Sequence, residues 1–307
     1  MPQHALILFL AAVSPFGCLT SHAGILSQEK STMSAGAAAF SKVVPAPIPD
    51  TLRSSADTIS PPVSSRPFAV DSSWWYRKLN NGAFGAGERL EFSVKYGKLP
   101  AGTAVMEIPG YVVFEGRSCY RVVSTANSND VVSVFYRVRD SVETLLDIRG
   151  IFPRRFHKRL KEGGYSIDRT TILDQRQHLA ITGNDTIPTY SFVQDPLSSL
   201  YYLRTQELIP GEDIFIDNHT DKKNYPLRVI VRERETIKVP AGKFDCVVVE
   251  PVMRAEGIFK ARGRIRIWLT DDQYKIPVMM KTEVYFLGSI SAQLSKYTRG
   301  QAEAKLD

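Results

Sequence analysis

The feature that most constrains this chain is a long succession of short alternating segments, each closed by turn residues. Glu88 to Tyr96 sets the pattern: Leu90, Phe92, Val94 and Tyr96 fall on one face, and Arg89, Glu91, Ser93 and Lys95 on the other. That period of two is the signature of a half-buried strand. Comparable segments run over 103–114, 118–126, 131–138, 141–147, 154–161, 165–173 and 178–182. After a break they resume over 213–217, 225–239, 244–255, 260–270, 277–287 and 289–297. Turn signals recur at roughly 8–15-residue spacing, as in barrels and sandwiches. Because the strands alternate, each buries only one face. The expected fold is all-β and mostly antiparallel: a strongly curved sheet or barrel-like fold of about a dozen strands around one helix.

The helix is expected at 196–208. Asp195 stands where a side chain caps free N–H groups, and Pro196 suits the first helical position. Leu197, Leu200, Tyr201, Arg204 and Leu208 follow at helical spacing, and Pro210-Gly211 ends the run. A lone helix among strands must bury its stripe on a sheet. Gly87, Gly97, Gly102, Gly242 and Gly288 sit at hairpin positions where the backbone needs positive φ or close approach.

Residues 1–23 carry a short apolar run, Ala5 to Val13, too short to span a bilayer. With Ser21-His22-Ala23 it reads as a signal peptide cleaved before Gly24, although no Lys or Arg precedes the run. Cys18 offers the competing lipoprotein reading. Residues 24–70 are rich in Ser, Ala and Pro and read as a disordered linker. Trp74-Trp75-Tyr76 opens a single β-rich domain over 71–300, and 301–307 is a tail. The expected location is therefore outside the cytoplasm, in the periplasm or cell envelope. There Cys119 and Cys246, both in expected strands, form a possible disulfide or remain as two buried thiols.

Candidate chemistry is sparse. No nucleophile elbow, H-E-x-x-H or CxxC is present, so no cofactor or metal is expected. Of the histidines beyond the signal, His157, His178 and His219, the last lies in a polar loop with Asp217 and Asp221. Asp195, Asp271 and Asp272 are carboxylates that a hydrolase of envelope polymers would need in one cleft. A helix cap and a β-turn explain them more simply. The formal net charge of +7 is spread along the chain, without the dense basic block of a nucleic-acid binder. Arg154, Arg155, Lys158, Arg159 and Lys161 cluster in one strand pair, whereas Arg228, Arg232 and Arg234, and Arg262, Arg264 and Arg266, recur at even spacing. Even spacing puts each set on one strand face, either as a cationic stripe or as a solvated face paired with Glu and Asp.

Seven fragments, in order, carry a resemblance: GERLEFSVKYGKLPAG (87–102), VFYRVRDSVETLLD (134–147), FPRRFHKRLKEGGY (152–165), QDPLSSLYYLRTQELIPGE (194–212), IKVPAGKFDCVVVEP (237–251), IWLTDDQYKIPV (267–278) and LGSISAQL (287–294). Together they resemble the bacterial exported family called domain of unknown function 3108, over about residues 85–297. The resemblance implies an exported β-rich domain with no assigned activity, and it supplies no catalytic residues. The leading expectation is a non-enzymatic, at most membrane-peripheral envelope protein that binds an amphiphilic or anionic lipid or glycan. Tyr201, Tyr202, Phe92 and Trp268 are the candidate lining residues, and Arg264 and Arg266 the candidate anion contacts. The alternatives are an envelope scaffold for a protein partner and the carboxylate hydrolase.

Overall fold

The computed structural model describes residues 72–253, 264–284 and 288–301. The expected signal peptide, Cys18, the linker to residue 70 and most of the tail lie outside them. Within the described residues, fourteen antiparallel strands form one sheet. The first eight are β1 (Arg89–Tyr96), β2 (Leu99–Phe114), β3 (Arg117–Ser128), β4 (Arg139–Asp147), β5 (Pro153–Glu162), β6 (Tyr165–Asp174), β7 (Leu179–Thr182) and β8 (Asp185–Pro188). The second six are β9 (Asp213–Thr220), β10 (Lys223–Val239), β11 (Gly242–Met253), β12 (Arg264–Thr270), β13 (Pro277–Val284) and β14 (Gly288–Thr298). The order β8-β7-β6-β5-β4-β3-β2-β1-β14-β13-β12-β11-β10-β9 is two meanders joined by the β1–β14 pair. The chain starts mid-sheet, winds out to β8, crosses to the opposite edge at β9 and winds back.

Among the described residues no backbone ladder closes this sheet. It curls, and side chains bring its two edges together at one end. The Lys222 ammonium pairs with Asp185 of β8, and Asn224 donates to the Pro188 carbonyl at 2.7 Å. Gln194 forms an isolated parallel bridge with Asn218 of β9. Register breaks at Glu91/Phe92, Val94/Lys95, Glu107/Gly110, Leu145/Leu146, Val231/Arg234 and Trp268/Leu269 supply the bending. At Gly102 a Cβ would sit 2.1 Å from the Asn127 carbonyl oxygen, so only glycine admits the β2–β3 approach.

Among the described residues three helices are present rather than one: α1 (Ser73–Tyr76), α2 (Asp130–Phe135) and α3 (Pro196–Arg204). The sequence reading expects a strand over 131–138, and the structure corrects it to α2. The β-branched valines favour a strand, but the Asn129 side chain accepts from Val132 N at 2.9 Å and starts a helical turn. The structure also adds β8, which is too short and polar to leave a periodic signal.

The α3 helix sits between the two meanders in sequence and against β4 and β9 in space. Asp195 caps it: Oδ1 accepts from Leu197 N and Ser198 N, both at 2.8 Å, and Asp195 N donates to Ser198 Oγ at 2.8 Å. The helix ends at Arg204, short of the expected Leu208, because Thr205 N turns back to Leu203 and Tyr202 carbonyls. Eight of its nine residues are buried, so it is enclosed by the curl instead of lying on it by one stripe. Its Leu197, Leu200 and Leu203 join Leu90, Phe92 and Met106 in the core cluster.

Candidate functional site

The expected lining residues do not meet in one place. Phe92 and Tyr201 are both fully buried in the core cluster. Trp268 pairs with Met279, Met279 with Gln293, and Gln293 with Ser93. Paired residues on adjacent strands share a face, so Trp268 points to the face opposite Phe92. There its indole donates to Glu235 Oε2 at 2.8 Å. Tyr201 packs edge-on against Phe84, with ring centroids 4.9 Å apart, and burial pushes its phenol pKa up. Tyr202 is half-buried, with Arg77 over its ring at 5.7 Å.

Most of the described cationic stripe is solvated and paired, and Arg262 lies outside the described residues. Arg264 and Arg266 share the face of Trp268 by their even spacing. Arg264 and Arg232 both pair with Glu250, at 3.2 and 3.1 Å, and Arg234 pairs with Asp271 at 2.7 Å. Of the β5 basic cluster, Arg155, His157 and Arg159 likewise meet Glu143 and Asp168 on the outside. The hydrolase carboxylates are not joined either. Asp195 is the helix cap and also accepts from Thr144. Asp272 holds a turn by accepting from Tyr274 N and Lys275 N. Cys119 and Cys246 are free, buried thiols on β3 and β11, with five strands between them in the sheet order. The possible disulfide is therefore corrected to two separate thiols. Among the described residues no group of three or more His, Cys, Asp or Glu is placed to hold a metal ion.

A different set of residues stands out, on the inner face beside α3. Strand alternation on β4 and β5 puts Asp140, Lys158 and Glu162 inward, where each is almost completely buried. Lys158 donates to Asp221 Oδ1 from the β9–β10 turn, and Arg169 Nη1 donates to the same oxygen at 2.9 Å. The Asp140 and Glu162 carboxyl groups lie close enough to interact. Burial raises both carboxyl pKa values, and the Asp140 charge raises that of Glu162 further. Both carboxyl groups are thus biased toward the neutral form beside the Lys158 and Arg169 cations.

Beside this cluster lie polar atoms with no hydrogen-bond partner among the described residues: Asn218 Oδ1, Thr220 Oγ1 and Asp221 Oδ2, while Asp140 Oδ2 and Glu162 Oε2 within it are likewise without one. Asn218 spends its amide on Ser199 Oγ of α3 at 2.7 Å, which fixes its face as the inner one. Thr220, two residues on and 2% exposed, shares it. His219 lies on the other face of β9. Asn224 gives its amide to Pro188, so its Oδ1 accepts from His219 Nδ1 at 2.8 Å. Burial lowers the His219 pKa, and its Nε2 has no hydrogen-bond partner among the described residues. Buried polar groups in folded proteins are almost always hydrogen-bonded, so the orphan atoms of Asn218, Thr220 and Asp221 mark a place where something polar sits. In the sequence this segment reads as a polar loop, and the signal it carries is a strand end, Asn218-His219-Thr220, with no apolar residue at an inward position.

No curated protein matches the chain. Among solved structures, the chain is similar to that of a candidate exported protein with a YmcC-like fold from Bacteroides fragilis. The two are 11% identical, the match covers 73% of this chain and 99% of that one, and the TM-score is 0.30. No helix of the described residues is long and apolar enough to cross a membrane. A family model described as a protein of unknown function, DUF3108, matches residues 91–295, and the chain belongs to that family.

Proposed function

We propose that this is a non-enzymatic binding protein of the bacterial cell envelope. Its ligand is an amphiphile whose headgroup enters the polar inner site at the end of β9. The carrying observation is the row of buried atoms without partners, Asn218 Oδ1, Thr220 Oγ1 and Asp221 Oδ2, set in a site whose cations are already engaged. Two of these atoms only accept, so the fitting headgroup brings donors: the hydroxyls of a sugar or an ammonium group. A bare anion fits less well, because Lys158 and Arg169 are held by Asp221. The enzymatic reading is weaker. Asp140 and Glu162 interact directly, without the separation that glycoside hydrolysis needs between its two carboxyl groups.

The test uses two donor-bearing amphiphiles, octyl glucoside and lysophosphatidylethanolamine, with dodecyl sulfate as the donor-free control, all below their micelle concentrations. Native mass spectrometry and titration should show saturable binding of at least one of the first two, weakened about tenfold in Thr220→Val. Saturable binding of neither, or binding indifferent to Thr220→Val and Asp221→Asn, overturns the proposal.

A further inference from the structure

A second feature, independent of the inner site, lies at one end of the sheet. Three chain segments meet there. Asn129 donates through N to the Ala101 carbonyl and through Nδ2 to the Pro100 carbonyl, each at 2.9 Å, which ties α2 to the start of β2. Ser128 N reaches the Val138 carbonyl at 3.1 Å, and Gly163 N reaches the Arg137 carbonyl at 2.8 Å, bringing in the β5–β6 turn. The α2 helix has no buried residue. Val131 is 73% exposed, Val134 78% and Phe135 88%, and Leu99 at the β1–β2 tip is 69% exposed. Soluble surfaces tolerate single apolar residues, but four held together by backbone hydrogen bonds form a patch that needs an occupant.

The charges around the patch identify it. Lys98, Arg137, Arg139 and Lys161 are all exposed at this end, and none makes an ion pair with a described residue. Four of the five arginines of β10 and β12 behave differently: Arg228, Arg232, Arg234 and Arg264 each meet a carboxylate. Asp130, in the first turn of α2, is the one exposed carboxylate on the helix. Apolar tips projecting between unpaired lysines and arginines match the boundary of an anionic bilayer, where aliphatic groups enter the acyl edge and cations meet headgroups. A protein partner fits less well, since protein interfaces are depleted in lysine. The aromatic entry segment is not part of this end. Trp75 packs over Arg117, with the guanidinium 4.7 Å from the ring, at the opposite end of β3.

We infer that the end of the sheet formed by α2, the β1–β2 tip and the β5–β6 turn docks on a bilayer surface bearing anionic headgroups. The test is vesicle co-sedimentation of the full mature chain, using phosphatidylcholine vesicles with and without phosphatidylglycerol. Two double variants accompany it, Val134→Ser with Phe135→Ser, and Lys98→Glu with Arg137→Glu. All these positions are exposed, so the variants should melt with the wild type. The expected result is binding to phosphatidylglycerol vesicles that weakens with added salt and falls about tenfold in each variant. Absence of binding, or equal binding by the wild type and both variants, overturns the inference. So does sedimentation-velocity evidence that the wild type self-associates through this patch and the serine variant does not.

Discussion

Arg204 and Glu88 meet in a fully buried bidentate ion pair, with Nη1···Oε1 at 2.8 Å and Nη2···Oε2 at 2.7 Å. The guanidinium also donates to the Ala83 carbonyl at 3.1 Å and the Tyr274 carbonyl at 3.2 Å, and it lies 5.2 Å from the Phe84 ring centre. One side chain of α3 thus ties the entry to β1 to the β12–β13 turn. A planar fork with five donors does this, and a lysine would not.

Removing one partner of that pair should be severe. Arg204→Met leaves the Glu88 carboxylate buried and uncompensated, at an expected cost of about 3–5 kcal/mol. The double variant Arg204→Met with Glu88→Met should lose less than the sum of the singles, since neither charge is then stranded. Urea denaturation of the four proteins checks this. Additive losses would mean that the two groups act separately.

Stability should fall as the pH rises through neutral, and Glu162 should be the reason. Its folded pKa is pushed up to about 8, first by burial and then by the Asp140 charge, from an ordinary 4.5. Between those values the folded protein holds a proton that the unfolded chain has released. The stabilisation is complete below the unfolded value and lost as the pH climbs to the folded one. At ~1.4 kcal/mol per pKa unit, the loss amounts to a few kcal/mol. Glu162→Gln cannot ionise and should flatten the profile. Denaturation midpoints at the two ends of this window, for both proteins, decide it.

Both thiols should be silent in the native protein. Burial pushes Cys119 and Cys246 up to about 12, so almost no thiolate is present at neutral pH. Iodoacetamide should modify neither before unfolding and both after unfolding, without any reductant. Intact mass reads the result directly. Protection that persists in denaturant and yields to reductant would reveal a bridge.

Thr220→Val is expected to stabilise the empty protein by about 1 kcal/mol, because it replaces a buried hydroxyl without a partner by a methyl group of the same shape. The same change should weaken amphiphile binding. A rise in melting temperature coupled to a loss of affinity is the behaviour of a site kept for a ligand. A fall in stability would show that the hydroxyl already has a partner, such as a bound water.

The local parts of this fold were legible because they depend on near neighbours in sequence. Asp195-Pro196 gave the start of α3 through backbone donors two and three residues away. Gly97 at φ 59° and Gly102 against Asn127 occupy the kinds of hairpin position anticipated for them. Val131–Val138 was misleading because β-branched side chains favour a strand only when a neighbouring strand is present, and Asn129 decided the matter locally. The site was far less legible. Phe92 and Trp268 look alike as buried aromatics in alternating strands. Their faces are assigned only through three successive registers across β12, β13, β14 and β1.

The sequence by itself determined that the chain is a series of antiparallel hairpins around a capped helix, since alternation, turns and caps are short-range physics. Only the tertiary structure decided that β1 pairs with β14 and that the curl brings Asp221 to Lys158 and Lys222 to Asp185. It likewise decided which charges are buried together and which polar atoms are left without partners. Those outcomes depend on contacts between residues tens to hundreds of positions apart, and a side chain carries no local mark of the partner it meets across the fold.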